Sequence, residues 1–453
     1  MNQLEFKIFF RNKAAWSGIL ILLISGFAGM YFGKSFIQQQ QHVIEKAKQL
    51  QQENTSRNIQ YFGKELGTLL YHNKFSIANV PDNWAAFSTG QRDINPYLFS
   101  VTMLGLEGQM YDTDLNNPSS LLLGNMDMAF VFVFLFPLVI IAFTYNLLSS
   151  ERESGIWSLV RSQSAIPLRV IWLKFSVRAI TVFATAIVLI LISAFYLNLA
   201  FDVRLFMVAA VISLYLIFWF ALSLWIISRG RSSDFNAVSL IACWVVLNII
   251  SPAMLNVWLT KKFPVPEALE TVVAQREGYH EKWDMDKNTT MERFFKHYPQ
   301  FKKYPFPADL EFSWYWYYAM QQMGDDEAAG SAERLSEKLT QRQNFTTLTA
   351  LFLPGIQAQL KLNELAKVDL QNHLEFLKAL RAYHEKIRLQ FYPLIFSEGK
   401  TTDIEWKKFK LESYRNQSGK QSLYNLFSMI VFSLLFLLLA MYNFRRKVEN
   451  NFA

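Results

Sequence analysis

The stretch SSERESGIWSLVRSQSAIPLRVIWLK, residues 149–174, is charged and amphipathic and lies between two long apolar runs. It decides the fold because it marks a place where the chain turns back between two hydrophobic passages. Ser150 followed three residues later by Glu153 has capping-box spacing, in which hydroxyl and carboxylate each satisfy an orphaned backbone N–H at a helix start. Glu151 and Glu153 put negative charge at the positive end of such a helix, and Arg161 puts positive charge near its negative end. Ile156, Leu159, Val160 and Gln163 share one face, the pattern of a short helix on a membrane surface or in a partner's groove. Ile166 and Pro167 interrupt it, since the residue before a proline leaves the helical region and proline has no N–H to donate. A second helix is expected from about Leu168.

Working outward, apolar runs of membrane-crossing length fall at residues 15–33, 126–148, 170–199, 205–228, 237–259 and 423–444. The predicted fold class is an all-α membrane protein with six transmembrane helices and two large, mainly helical exterior regions, residues 34–125 and 260–422. Residues 1–14 alternate apolar and basic positions as a cytoplasmic interfacial helix would, and residues 445–453 form a cytoplasmic tail. Lys7, Arg11 and Lys13, then Arg152, Arg161, Arg169 and Lys174, then Arg229 and Arg231, and finally Arg445, Arg446 and Lys447 occupy alternate connections and both ends. Six spans with both termini cytoplasmic satisfy positive-inside sorting. A cleaved signal peptide competes for the first run, because small residues follow a basic start; sorting alone does not decide between them. The basic amphipathic start favours an uncleaved span.

The 149–174 stretch resembles the loop between the second and third spans of ABC-type export permeases, the membrane subunits of type-2 ABC transporters. In that family a Glu-x-Glu-x-Gly element opens a coupling helix, residues 149–169 here, that ends at a proline and a basic residue before the next span. Glu151, Glu153, Gly155, Leu159, Pro167, Arg169 and Lys174 match that order. Trp157 and Arg161 depart from the commoner wording. Six spans and two large exterior regions, after the first and fifth spans, are most like the bacterial members of this class. The resemblance implies a multi-pass protein of the bacterial inner membrane in which two permeases, the same chain or a paralogue, work with two separate ATPase subunits. ATP and Mg belong to those partners, and this permease is not itself an enzyme and binds no cofactor. Arg161 and Glu153 are implied ion-pairing contacts to the ATPase, with Ile156, Trp157 and Leu159 as apolar anchors. The large insertion before the last span also offers a surface for an envelope protein. That leaves open an ABC-type mechanotransmission complex that moves its exterior domain without carrying a solute, or a membrane scaffold or receptor.

Composition narrows the chemistry. Of 453 residues, 52% are hydrophobic and only 18% charged, so the net charge of +8 reads as sorting signal beside apolar runs and not as a nucleic-acid site. The one cysteine, Cys243, sits in an apolar run, which rules out an intrachain disulfide. Gly33-Lys34-Ser35 is not a phosphate loop, because Ala28 stands where the motif needs glycine. The spans hold almost no ionisable groups, which disfavours proton-coupled transport and intramembrane acid–base catalysis. Asn146, Asn248, Ser251 and Asn256 are read as bonds between helices or as a polar transport path, and Pro252 as a kink in the fifth span. In the second exterior region helical periodicity covers residues 267–297, 308–323, 331–347 and 356–391, while residues 97–103 in the first suit a short strand. The aromatic run Trp314 to Tyr318 is a ligand face, an interfacial anchor or plain core. Asp369 with His373 and His280 with Asp284 have metal-ligand spacing but too few ligands for a site, and no nucleophile elbow occurs. No catalytic residue and no metal site are assigned.

Overall fold

The computed structural model describes residues 2–111, 126–157, 167–304, 306, 311–416 and 426–449. Among them are six helices long and apolar enough to cross a membrane, in the places where the apolar runs put them.

From the N-terminus, α1 (Asn2–Arg11) stops at Asn12, whose side chain caps the next helix by accepting the Ala14 amide at 2.9 Å. Helix α2 (Lys13–Phe62) then runs unbroken for 50 residues, about 75 Å at 1.5 Å per residue. The first span was expected to end at residue 33; the helix runs on past it, because nothing there caps or breaks a helix. After α3 (Leu66–His72), strands β1 (Phe75–Asn79) and β2 (Leu98–Val101) pair antiparallel, followed by α4 (Leu106–Tyr111).

The second to fifth apolar helices are α5 (Met128–Glu153), α6 (Pro167–Tyr196), α7 (Val203–Ser228) and α8 (Ser233–Lys262). A polar stretch follows: α9 (Glu267–Asp284), α10 (Lys287–His297), the long α11 (Trp314–Ala350), α12 (Pro354–Leu365), α13 (Leu370–Phe396) and β3 (Glu412–Tyr414), before α14 (Phe427–Glu449) closes the bundle. The periodicity expected over 356–391 is split, since Lys367 takes a left-handed φ of 57° that no helix continues through.

Three features depart from the expected organisation. First, the fold is not all-α. β3 lies parallel to β1, with Ile77 opposite Glu412, giving a three-stranded sheet in the order β2-β1-β3. Second, the two polar regions share one core. Trp316, Tyr318, Tyr392, Phe294 and Phe391 are buried in it with Phe75 and Val101, so the aromatic run at 314–318 is core packing. Buried Arg388 ion-pairs with Asp325 at 2.8 Å and donates to the Leu104 carbonyl at 2.9 Å, while Asp325 accepts the amides of Leu106 and Glu107. Arg381 grips Glu107 with two nitrogens, at 2.6 and 3.0 Å.

Third, the turn between α11 and α12 enters the helical bundle, although residues 260–422 were expected to lie wholly outside it. Phe345 stacks on Trp258 with centroids 4.2 Å apart, Phe352 meets Phe432, and Gln357 bonds Ser428 at 2.9 Å. Ala358, Leu362 and Leu365 belong to the same apolar cluster as the long helices. Thr346, Thr347 and Thr349 return their hydroxyls to carbonyls four residues earlier, which satisfies polar groups in apolar surroundings. Such a short, mixed segment has no hydropathy signature of its own.

Gly33 shows how tightly the two parts are joined. A β-carbon there would lie 2.0 Å from the Ala86 carbonyl oxygen in the turn Asn83–Ala86, so only glycine permits the approach. Gly33→Val should therefore cost about 1–3 kcal/mol. The measurement is the thermal midpoint of the detergent-solubilised chain, and an unchanged midpoint would show that helix and turn do not meet this closely.

Candidate functional site

The 149–174 stretch organises one end of the bundle through three consecutive charges. The helical turn Ser149–Glu153 has no side-chain cap, and the Ser150 amide donates to the Asn146 carbonyl at 3.2 Å. The expected capping box is thus not formed, because α5 runs on into this turn and leaves no free helix start at Ser150. Glu153 caps a different helix. Its carboxylate accepts the Ser233 amide at 2.8 Å and the Ser233 hydroxyl at 2.9 Å, at the N-terminus of α8, where unpaired N–H groups and the macrodipole both favour an anion. Glu151 ion-pairs with Lys174 on α6. Arg152 donates to the Gly230 carbonyl at 3.0 Å, just beyond α7. The Ser149 and Ser233 hydroxyls are 2.8 Å apart. Asn443 of α14 donates to Ser228 at 2.9 Å, adding the last helix to the same end.

Gly155 adopts a φ of +76°, the left-handed conformation that ends the turn and redirects the chain. Beyond it Ile156 is exposed, whereas Trp157 is half-buried against the cluster of Leu147, Leu148 and Ile171. Leu159 and Arg161 lie outside the described residues. Pro167 opens α6 and Arg169 is exposed. Among the described residues Glu153, Gly155, Ile156 and Arg169 are exposed, while Glu151 and Glu153 are both engaged with neighbouring helices. Ser233 and Gly230 were not singled out from sequence, although Ser232-Ser233-Asp234 before an apolar run carries an N-cap signal.

A second polar cluster sits inside the bundle. Helices α5 and α8 each contain a π turn, at Val131–Leu135 and Val246–Ile250. The Tyr215 hydroxyl lies between them, donating to the Val133 carbonyl at 2.9 Å or to Asn248 Oδ1 at 3.1 Å. The Trp244 indole donates to the Phe134 carbonyl at 3.1 Å, and Gly355 of the inserted turn rests against Asn248. Tyr215 is about 18 Å along α7 from its Val203 end. Such π turns often mark functional positions. Asn248 therefore bonds between helices. Ser251 and Pro252 are half-buried next to the π turn, and Asn256 faces outward, so it is not an interior residue. Tyr215 gave no sequence signal within its apolar run.

Among the described residues no group of three or more His, Cys, Asp or Glu is placed to hold a metal ion. Asp369 and His373 follow each other on α13, and both are set by burial: the Asp369 carboxyl is pushed up to about 6 and the His373 imidazole down to about 4.

Residues 268–415 match a family described as Domain of unknown function (DUF3526). Comparison with curated proteins and with solved structures finds no match.

Two outcomes follow from this geometry. Glu153→Ala and Ser233→Ala should each destabilise the chain by about 1 kcal/mol but non-additively, with a double-mutant coupling of similar size in thermal unfolding; simple additivity would dissolve the contact. Asp369 carries a raised folded-state value, so the stability it supports is complete below pH 4 and is lost as pH rises through about 6. Asp369→Asn should then stabilise the chain at pH 8 by on the order of 2–3 kcal/mol, read as a higher thermal midpoint, and leave it unchanged near pH 4.

Proposed function

We propose that this chain is the membrane-spanning permease subunit of an ATP-driven ABC transporter, exporting a substrate from the cytoplasm or the inner membrane. Separate ATPase subunits bind the cytoplasmic end of its bundle and carry the ATP and Mg. The observation that supports this reading most is the set of three adjacent charges, Glu151, Arg152 and Glu153, which tie α5 to α6, to the end of α7 and to the start of α8. A push on the loop beside them reaches four helices at once. Ile156 offers the exposed apolar contact, and Trp157 links the loop to the bundle core. Glu153 acts in this account as the internal tie rather than as an ion-pairing contact to the ATPase. The fifth and sixth apolar helices, whose most apolar windows are only 17% and 22% buried, have room for lipid and for a second permease.

A mechanotransmission complex is the second reading, and one observation favours it. Helix α2 passes from the bundle into the polar body without interruption and packs its Ile44 with Ala78 of the sheet. Tilting its membrane end moves the body bodily, with or without a solute. The body would then act on an envelope protein.

Co-purification from native membranes with an ATPase, followed by ATP hydrolysis by the complex, tests both readings at their common point. Ile156→Asp should lower stimulated hydrolysis about tenfold, equivalent to about 1.4 kcal/mol of lost contact, without changing the amount of chain in the membrane. Unchanged stimulation, or a stable chain that captures no ATPase even after crosslinking, would overturn both. Substrate-dependent flux in proteoliposomes distinguishes the transporter from the mechanical device.

A further inference from the structure

A cleft of about 650 Å³ opens where the polar body meets the bundle, lined by Asn79, Asp82, Asn83, Arg92, Lys367 and Arg415 among others. Its place is set by two contacts to the helix ends: Asn83 donates to the Asn198 carbonyl at 3.0 Å, and Arg204 pairs with Asp82 at 3.0 Å. The cleft thus lies level with the connection between α6 and α7.

Arg92 is 8% exposed, yet among the described residues no carboxylate neutralises it. Its Nε and Nη2 both donate to Gln40 Oε1, at 3.1 and 2.9 Å, and Nη2 also donates to the Asn79 carbonyl at 2.7 Å. These neutral acceptors fix the plane of the guanidinium. Among the described residues Nη1 has no hydrogen-bond partner, and it is not sealed from solvent. Burial draws the Arg92 pKa down only to about 10, so the side chain remains charged at neutral pH. Elsewhere in the polar body the deeply buried cations are matched by acids, Arg388 by Asp325 and Lys282 by Glu327. A buried charge left without a counter-ion is costly, so an uncompensated one facing a cleft implies that the counter-ion comes from outside.

Two more cations share the space. Lys367 spends one N–H on the Asn416 carbonyl at 2.6 Å and has two others, while Arg415 is exposed and forms no hydrogen bond or ion pair among the described residues. The acid that lines the cleft, Asp82, faces Arg204, and Glu375 accepts from the Asn416 amide at 2.6 Å. The amides of Asn79 and Asn83 also line the wall. Three cations with neutral donors suit a group having several acceptor oxygens and at least one full negative charge. The volume admits more than a bare ion.

We propose that this cleft binds a phosphate group, with Arg92 as its fixed anchor and Lys367 and Arg415 as its outer clamp. The phosphate is carried either by an anionic lipid headgroup reaching up from the bundle end or by a free phosphorylated solute. The site is independent of how the opposite end of the bundle is driven.

The test uses the full chain in detergent with three probes: dioctanoyl phosphatidylglycerol, dioctanoyl phosphatidylcholine and inorganic phosphate, read by calorimetry. Phosphatidylglycerol should bind at least about tenfold more tightly than phosphatidylcholine, and the K367Q/R415E double variant, on the cleft's outer edge, should lose about tenfold or more of that affinity. Arg92→Gln should lose it as well, but the double variant keeps the test decisive where Arg92→Gln fails to fold. Competition by inorganic phosphate assigns the site to a free phosphorylated solute; binding of phosphatidylglycerol without such competition assigns it to a headgroup. Equal affinity for the two lipids with no phosphate binding, or undiminished binding in a folded K367Q/R415E variant, would overturn the proposal.

Discussion

The rest of the structure depends on the continuity of one helix. Over the 50 residues of α2 each backbone N–H from the second turn onward is held by a carbonyl four residues back, and a bend sharp enough to uncouple its halves would break several of those bonds at once. Its lower half packs among the apolar helices through Leu22 and Met30, and its upper half against the sheet through Ile44 and Gln51, which accepts the Ser76 amide at 2.9 Å. Bundle and polar body are therefore not two domains on a loose linker. The turn at 83–86 and the inserted α11–α12 turn add further joints on other sides, so relative motion has to be carried by rigid elements rather than absorbed by a hinge.

Charge is arranged to serve the same end. The interior of the bundle is nearly free of ionisable groups, while its Glu151–Glu153 end concentrates them where four helices converge. In the polar body Arg388 and Lys282 are almost wholly buried, each against an acid from a different element. Such pairs add little to net stability over apolar residues of the same size, but removing one partner leaves a buried charge unmet. They therefore specify which surfaces meet: Arg388 reads residues 103 and 104 of the first polar region as well as Asp325 of the second. This is how a body assembled from two distant parts of the chain acquires a single register.

The six apolar helices were legible in the sequence because each is a long run with one dominant signal, although the first runs on to Phe62, far past the end of its apolar run. Strand β2 was legible too, between Pro96 and the turn at Leu104. What could not be read has physical reasons. β3 is only Glu412-Ser413-Tyr414, with no alternation to reveal it, and it exists because β1 offers an open edge. The α11–α12 turn is too short and too polar to resemble a span; only its neighbours make it part of the bundle. In the 149–174 stretch local spacing suggested that Glu153 would cap its own helix. The amide it reaches, Ser233, is 80 residues away in the chain, and no local pattern encodes such a contact.

The parallel pairing of β1 with β3 also has a consequence for biogenesis. Ile77 waits for Glu412, and nearly everything between them, including four of the apolar helices, must be made first. Until then the edge of β1 and the aromatic faces around Phe75 and Phe391 stand open, the kind of unpaired strand and exposed apolar surface that invites aggregation. Packing of the apolar helices and closure of the sheet are thus ordered events. A cell making this protein has to shelter a half-built body while the remaining helices are still being made.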